Sequence, residues 1–169
     1  MSIQAGILGK DLGRGFAPLE GMAGWKHFNE IIAWQLAEQV KLRVYAFLDR
    51  PRVRTKYAFC DDMVRAARSG PSNIAEGFGR FGNKVFANYA RIAKASLVEV
   101  LNHFIDARDQ RLLTQDEFLL EEHQVRKALK ATVGLIRHLE STPDPPRPAA
   151  RPRDRERGET PDDENPEPR

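Results

Sequence analysis

The chain has 169 residues, of which 41% are hydrophobic and 30% charged, with a formal net charge of +3 and one cysteine, Cys60. This length suits a single domain with a real core, and a lone cysteine excludes an intramolecular disulfide and a cysteine-based zinc cluster. No apolar run approaches the roughly 20 residues that span a bilayer. The N-terminus also lacks a signal-peptide pattern, so we expect a cytoplasmic protein without membrane contact.

Composition divides the chain into three parts. Residues 1–24 are glycine-rich and weakly apolar, which predicts a loose N-terminal arm. Residues 25–142 hold 19 Lys and Arg against 14 Asp and Glu, and they carry the helical patterns. Residues 143–169 contain 8 of the 11 prolines and almost no large apolar side chains, so they cannot offset the entropy lost on ordering. We predict a disordered tail there, dispensable for folding.

Apolar residues recur at helical spacing in four segments of the central part. The predicted helices run from about Phe28 to Leu48, from about Thr55 to Phe78, from Gly82 or Asn83 to Asp109, and from Thr114 onward. The fourth opens with Thr-Gln-Asp-Glu, which is a capping box. Because the connections are short, neighbouring helices should be antiparallel. The pattern predicts an all-α, up-down-up-down four-helix bundle.

The second predicted helix contains one local conflict. Pro71 lies where the helix should continue, and proline removes a backbone hydrogen bond. A new segment could begin at Pro71, but we favour one kinked, nearly continuous helix. Its predicted apolar line consists of Tyr57, Cys60, Val64, Ala67, Ile74 and Phe78.

Catalytic and metal-binding patterns are missing from the sequence. The histidines are His27, His103, His123 and His138, and no two share a helix face at the spacing of metal ligands. No glycine-rich loop opens a helix, and we find no nucleophile paired with a base. We therefore predict a non-enzymatic protein with no catalytic residue, cofactor, metal or small-molecule substrate.

The first loop is strongly basic. Four cations within seven residues, without an acid, could hold phosphates; they are Arg50, Arg52, Arg54 and Lys56, and Pro51 stiffens the loop. Further candidate nucleic-acid contacts on the helices are Arg65, Arg68, Arg80 and Lys84. No aromatic residue is interleaved with the loop arginines, so we predict contact with the backbone and weak sequence preference. The alternative is an ordinary solvated surface.

Two helix faces are candidates for contact with another subunit. The first helix carries apolar residues outside its core face, namely Ile31, Trp34, Leu42 and Tyr45. A bundle needs one buried face per helix, so this surplus predicts an interface; scattered surface residues are the alternative. The second helix carries a polar stripe that includes Glu76 and Arg80. It is either an exposed face held by ion pairs or a polar contact surface.

The stretch SGPSNIAEGFGR, residues 69–80, resembles the signature of the four-helix-bundle family encoded in ribosomal-RNA intervening sequences. Asn73-Ile-Ala-Glu-Gly and the following Gly79-Arg80 match it, and the resemblance extends from about Phe28 to Glu140. That family is similar to the accessory variability protein of diversity-generating retroelements, a pentameric barrel that binds nucleic acid and a reverse transcriptase. The resemblance implies a homopentamer, and we include Asn73 and Glu76 in its predicted interface.

Two functional hypotheses follow from the residues and the resemblance together. The first is a non-enzymatic, oligomeric accessory protein that contacts the backbone of RNA or DNA through basic surface residues. The second is a protein–protein scaffold that docks a partner such as a reverse transcriptase without touching nucleic acid. Steep salt dependence of binding to generic RNA would favour the first hypothesis.

Overall fold

The computed structural model describes residues 24–80 and 82–144. A short 3₁₀ helix, Phe28–Glu30, precedes four long helices: α1 (Ile32–Leu48), α2 (Tyr57–Phe78), α3 (Asn83–Asp109) and α4 (Gln115–Ser141). Helix α1 packs against α2 and α4, and α3 packs against the same two, so the helices surround one core. The described segments contain no strand. The predicted four-helix bundle is confirmed, whereas residues 1–23 and 145–169 of the predicted arm and tail lie outside the described residues.

The ends of the helices follow local chemistry. The capping box of α4 is present, because Glu117 N–H donates to Thr114 Oγ1 (3.2 Å) and Thr114 N–H donates to Glu117 Oε2 (2.8 Å). The bond from the Thr114 N–H to the carboxylate, and then the one from the Thr114 hydroxyl (3.1 Å), lower the pKa of Glu117. The first helix begins later than predicted, since Ile31 is extended (φ −75°, ψ 117°) and separates the 3₁₀ turn from α1.

Helix α2 is continuous through Pro71, as we favoured, but its buried face differs from the predicted apolar line. Tyr57 is 76% exposed, and Cys60 and Val64 are only half-buried. The face that enters the core is composed mainly of small residues: Met63, Ala66, Ala67, Gly70, Pro71, Ile74 and Gly77. The predicted line contained Ala67 and Ile74 of this face but not the other five, because it followed one row of apolar side chains and passed over Gly70, Pro71 and Gly77.

Gly77 of α2 allows a close approach of α3, whereas Gly70 would accept a Cβ at an ordinary contact distance. A Cβ added at Gly77 would lie 2.5 Å from Phe86 Cδ2 and 2.7 Å from Tyr89 Cβ, both on α3. A Cβ at Gly70 would lie 3.6 Å from the Leu97 side chain. Gly77 therefore has no room for a methyl group, and α3 occupies the space that its missing side chain leaves.

A hydrogen bond between two serines links α2 to α3, and Asn73 of α2 bonds to one of these serines. Ser96 Oγ donates to Ser69 Oγ (2.8 Å), and Asn73 Nδ2 donates to Ser69 Oγ (3.0 Å) and to the Ser69 carbonyl (2.8 Å). Ser69, Asn73 and Gly77 all belong to the SGPSNIAEGFGR stretch. Much of this motif therefore serves the contact between α2 and α3.

A cross-bundle ion pair joins α1 to α4. Arg43 Nε and Nη2 donate to the two carboxylate oxygens of Glu121, each at 2.7 Å, and Glu121 is buried. Donating these bonds to Glu121 raises the pKa of Arg43. Two parallel hydrogen bonds fix direction as well as distance, so this pair sets the register of α1 against α4.

The start of α3 holds the segment that follows α4. Asn83 is fully buried, and its Nδ2 donates to the carbonyls of Thr142 (3.2 Å) and Pro143 (2.8 Å). Lys84 N–H donates to Asp144 Oδ1 (3.2 Å), which satisfies one free amide at the beginning of α3. The first two residues of the predicted tail therefore contact the bundle.

We predict that Gly77→Ala destabilises the protein by about 1–3 kcal/mol, because the added methyl overpacks the α2–α3 contact. The matched control is Gly134→Ala, also within a helix, where a Cβ would meet nothing within 4 Å. That change should stabilise by up to about 1 kcal/mol, the helix propensity difference. Urea unfolding of both variants measures the two effects, and equal midpoints would contradict the packing argument.

We predict that removing residues 145–169 leaves the thermal midpoint nearly unchanged, whereas removing residues 143–169 lowers it. The longer deletion takes away the Pro143 carbonyl and the Asp144 carboxylate, so Asn83 and Lys84 lose bonds at the start of α3. Loss of such helix-capping bonds costs about 1 kcal/mol. Calorimetry of the two truncated chains compares them directly, and identical midpoints would show that these contacts are dispensable.

Candidate functional site

The basic loop between α1 and α2 is a compact turn built around one buried residue. Val53 is fully buried, and its N–H donates to the Arg50 carbonyl (2.9 Å). Lys56 N–H donates to the Val53 carbonyl (2.8 Å), which also accepts the Cys60 thiol (3.4 Å). Because its centre is anchored in the core, the loop presents the side chains on either side of Val53 to solvent from a defined backbone.

The four loop cations are not equivalent. Arg50 Nη1 donates to Glu117 Oε1 of α4 (3.0 Å), and its guanidinium lies 5.4 Å from the centre of the Phe47 ring. Arg50 therefore joins the loop to α4. Arg52, Arg54 and Lys56 are exposed and form no ion pair with any described residue. We call these three residues the loop cluster.

The cations predicted on the helices do not extend the loop cluster into one surface. Arg65 pairs with Asp62 on the same helix, and Arg80 pairs with Glu76 (2.7 Å). The 22 residues of α2 span about 33 Å, so Arg80 and Lys84 lie at the opposite end of the bundle from the loop. Arg68, within α2, and Lys84 are exposed without an ion pair among the described residues. The eight predicted contacts are thus spread along the molecule.

The exposed apolar residues of α1 differ from those predicted, since Ile32 is 60% exposed and Ile31 is not. Ile31 is 1% exposed and belongs to the core of the single chain, because the extended backbone before α1 turns its side chain inward. Trp34 is half-buried, with its ring 5.1 Å from that of Phe28. Leu42 (55% exposed) and Tyr45 (39% exposed) do face solvent. Ile31 therefore drops out of the predicted interface.

The other two predicted interface residues lie on another face. Asn73 is half-buried and bonded to Ser69, beside α3. Glu76 is exposed, and hydrogen bonds from Arg80 and then Tyr89 lower its pKa. Leu42 and Tyr45 are on α1, so the predicted interface set draws on two helices.

A groove lies between α3 and α4 that we did not predict from the sequence. It has a volume of about 610 Å³, with Val98, Val133 and Ile136 at its floor. Cations line its rims, namely Arg91 and Lys94 on α3 and Arg137 on α4, and Arg91 pairs with Glu140. Residues 91, 94 and 98 of α3 share one helix face, and so do residues 133 and 137 of α4. This spacing was the sequence signal for the groove, on faces that differ from the main apolar faces.

Among the described residues we find neither a candidate metal site nor an activated cysteine. No group of three or more His, Cys, Asp or Glu side chains there could hold a metal ion. Burial, and then the charge of Asp61, raises the pKa of the Cys60 thiol, which disfavours the nucleophilic thiolate. Within residues 24–80 and 82–144, no helix has the length and apolar character needed to cross a membrane.

The sequence profile of the family described as 23S rRNA-intervening sequence protein matches residues 29–134. The chain belongs to this family. The match begins in the 3₁₀ turn, contains α1, α2 and α3 in full and ends within α4, so the family unit is the bundle itself. No curated protein shows significant similarity to this family member.

Proposed function

We propose that this chain is a non-enzymatic, oligomeric protein that binds the backbone of RNA or DNA through exposed basic residues. The observation that carries the proposal is the loop cluster: three neighbouring cations, free of ion pairs with the described residues, on a loop anchored by Val53. Membership of a family named for a 23S rRNA intervening sequence supports an RNA-related role.

The proposed binding is electrostatic. Each cation that neutralises a phosphate releases condensed counterions, so affinity should fall as salt rises. Three contacts with a single strand correspond to a slope of about −2 in log affinity against log salt concentration. Such contacts position a nucleic acid without reading its sequence. Several copies of the loop in one oligomer would strengthen binding through avidity.

We predict that changing Arg52, Arg54 and Lys56 together to serine weakens binding to mixed-sequence RNA and flattens its salt slope by about 2. Arg50 is left unchanged because it pairs with Glu117. The matched control changes Lys94, Lys130 and Arg137 to serine, which removes the same charge from another surface. Fluorescence anisotropy at several salt concentrations measures both variants.

Three results are informative in that experiment. Loss in the loop variant alone supports the loop cluster as the contact. Equal loss in both variants would mean that total charge, and not the loop, governs binding. Unchanged affinity in the loop variant would reject the loop contact and favour the scaffold alternative.

The oligomer we propose is a homopentamer, as the family resemblance implies, with Leu42 and Tyr45 of α1 in its interface. Both side chains are exposed on the single chain, and burying such apolar area between copies is favourable. The proposal predicts a particle of about five times the 19.2 kDa chain mass.

We predict that Leu42→Glu dissociates this assembly, because a carboxylate would be buried without a partner. Leu119→Glu on α4, where the leucine is similarly exposed, is the control and should leave the mass unchanged. Light scattering coupled to size exclusion gives the masses. A parent chain that is monomeric at micromolar concentration would reject the proposed oligomer.

The groove between α3 and α4 favours the second hypothesis, a protein scaffold. A sugar–phosphate backbone gains little from an apolar floor of Val98, Val133 and Ile136. An amphipathic helix with acidic flanks would match both the floor and the cationic rims. On this alternative, a partner such as a reverse transcriptase would dock through such a helix, and the loop cluster would serve solubility.

A further inference from the structure

The least expected side chain of the bundle is Tyr57, the first residue of α2. At 76% exposed, it is the most exposed large hydrophobic residue of the described segments. Its ring contacts no other aromatic ring there, and its hydroxyl forms no hydrogen bond with a described residue. A tyrosine ring this exposed adds little apolar burial to the single chain.

The surroundings of Tyr57 are cationic. It directly follows Lys56, and the loop cluster of Arg52, Arg54 and Lys56 occupies the preceding five positions. The backbone bond from Lys56 N–H to the carbonyl of buried Val53 holds the end of this segment in place. An exposed aromatic face and three exposed cations therefore stand together on an anchored piece of backbone.

We infer that Tyr57 is a base-stacking residue, and that the ligand of the loop is single-stranded RNA or DNA. Aromatic side chains next to positive charge are the usual elements of single-strand binding sites, because the cations hold phosphates while the ring stacks on a base. The bases of a duplex are already stacked on one another and cannot cover the ring. This inference rests on the nucleic-acid-binding function proposed above and specifies its substrate class.

The charges around Tyr57 also indicate the path that a bound nucleic-acid strand would follow over the surface. Asp61 lies one helical turn further along α2 and is exposed, and Asp62 follows it. Asp62 is paired with Arg65, but the Asp61 carboxylate repels phosphates, so the backbone should run from the ring toward the loop cluster and not past Asp61. A base on Tyr57 would then have its phosphates beside Lys56 and Arg54.

A symmetric protein contact through Tyr57 explains the arrangement less well. An isologous interface would place the same patch of two copies face to face. It would bring together two loop clusters that lack ion-pair partners among the described residues, and like charges in contact oppose association. A polyanion with flat, exposed bases satisfies the ring and the cations at once.

The test uses the full chain and four probes: a short mixed-sequence RNA, the same RNA annealed to its complement, an abasic strand of equal length, and the RNA with one 2-aminopurine. Tyr57→Ala should weaken binding of the single strand about tenfold. Tyr57→Phe should restore it, and Tyr57→Leu should not, because leucine has bulk but no π face. Affinities for the duplex and the abasic strand should be the same for all four proteins.

Direct evidence comes from 2-aminopurine, whose fluorescence is quenched by stacking. Quenching by the parent and by Tyr57→Phe, but not by Tyr57→Leu, supports the inference. If the parent binds RNA and Tyr57→Ala binds every probe equally well, stacking is overturned while the backbone-binding function stands. If the parent binds none of the probes, both fail. Circular dichroism spectra confirm that the variants fold, which we expect because Tyr57 lies outside the core.

Discussion

The close contact between α2 and α3 is the constraint on which the rest of the bundle depends. Gly77 leaves no space for a Cβ against Phe86 and Tyr89, and a hydrogen bond from Ser96 to Ser69 joins the two helices at another point of the contact. Once α2 and α3 are this close, their remaining faces determine where α1 and α4 can pack. The Arg43–Glu121 pair then fixes the register of those two helices on the other side of the core.

This constraint also explains why part of the fold could be predicted from the sequence and part could not. Helix α4 was predictable because its capping box is a local signal, and the structure contains both of its hydrogen bonds. The buried face of α2 was predictable only in part, since Ala67 and Ile74 stood in the predicted line whereas Gly70 and Gly77 have no side chain that marks them as core residues. Ile31 was misplaced because periodicity assumed a helix where the backbone is extended. A helical spacing of apolar residues predicts which side chains are buried only where the backbone is helical.

The candidate site shows a similar division. The basic character of the first loop could be read from the sequence, since Arg52, Arg54 and Lys56 have no acidic neighbour between them. The partner of Arg50 could not, because Glu117 is 67 positions away and approaches only when α4 packs beside α1. The groove between α3 and α4 likewise exists only after two helices meet. The charges within one segment could be predicted from the sequence. The pairing of a charge with a distant acid, and the formation of a groove, depend on tertiary contacts.

The bond from Asn83 to the Pro143 carbonyl has a consequence for the molecule as a whole. It holds the chain after α4 at the start of α3, and Trp25, before α1, packs its ring 5.6 Å from His138 near the end of α4. The described chain therefore enters and leaves at one pole, while the loop cluster occupies the other. Since the 27 residues of α4 measure about 40 Å, the bundle is a rod whose two ends differ. A molecule held on a sensor surface at Gly24 or Asp144 would present the loop cluster to the solution.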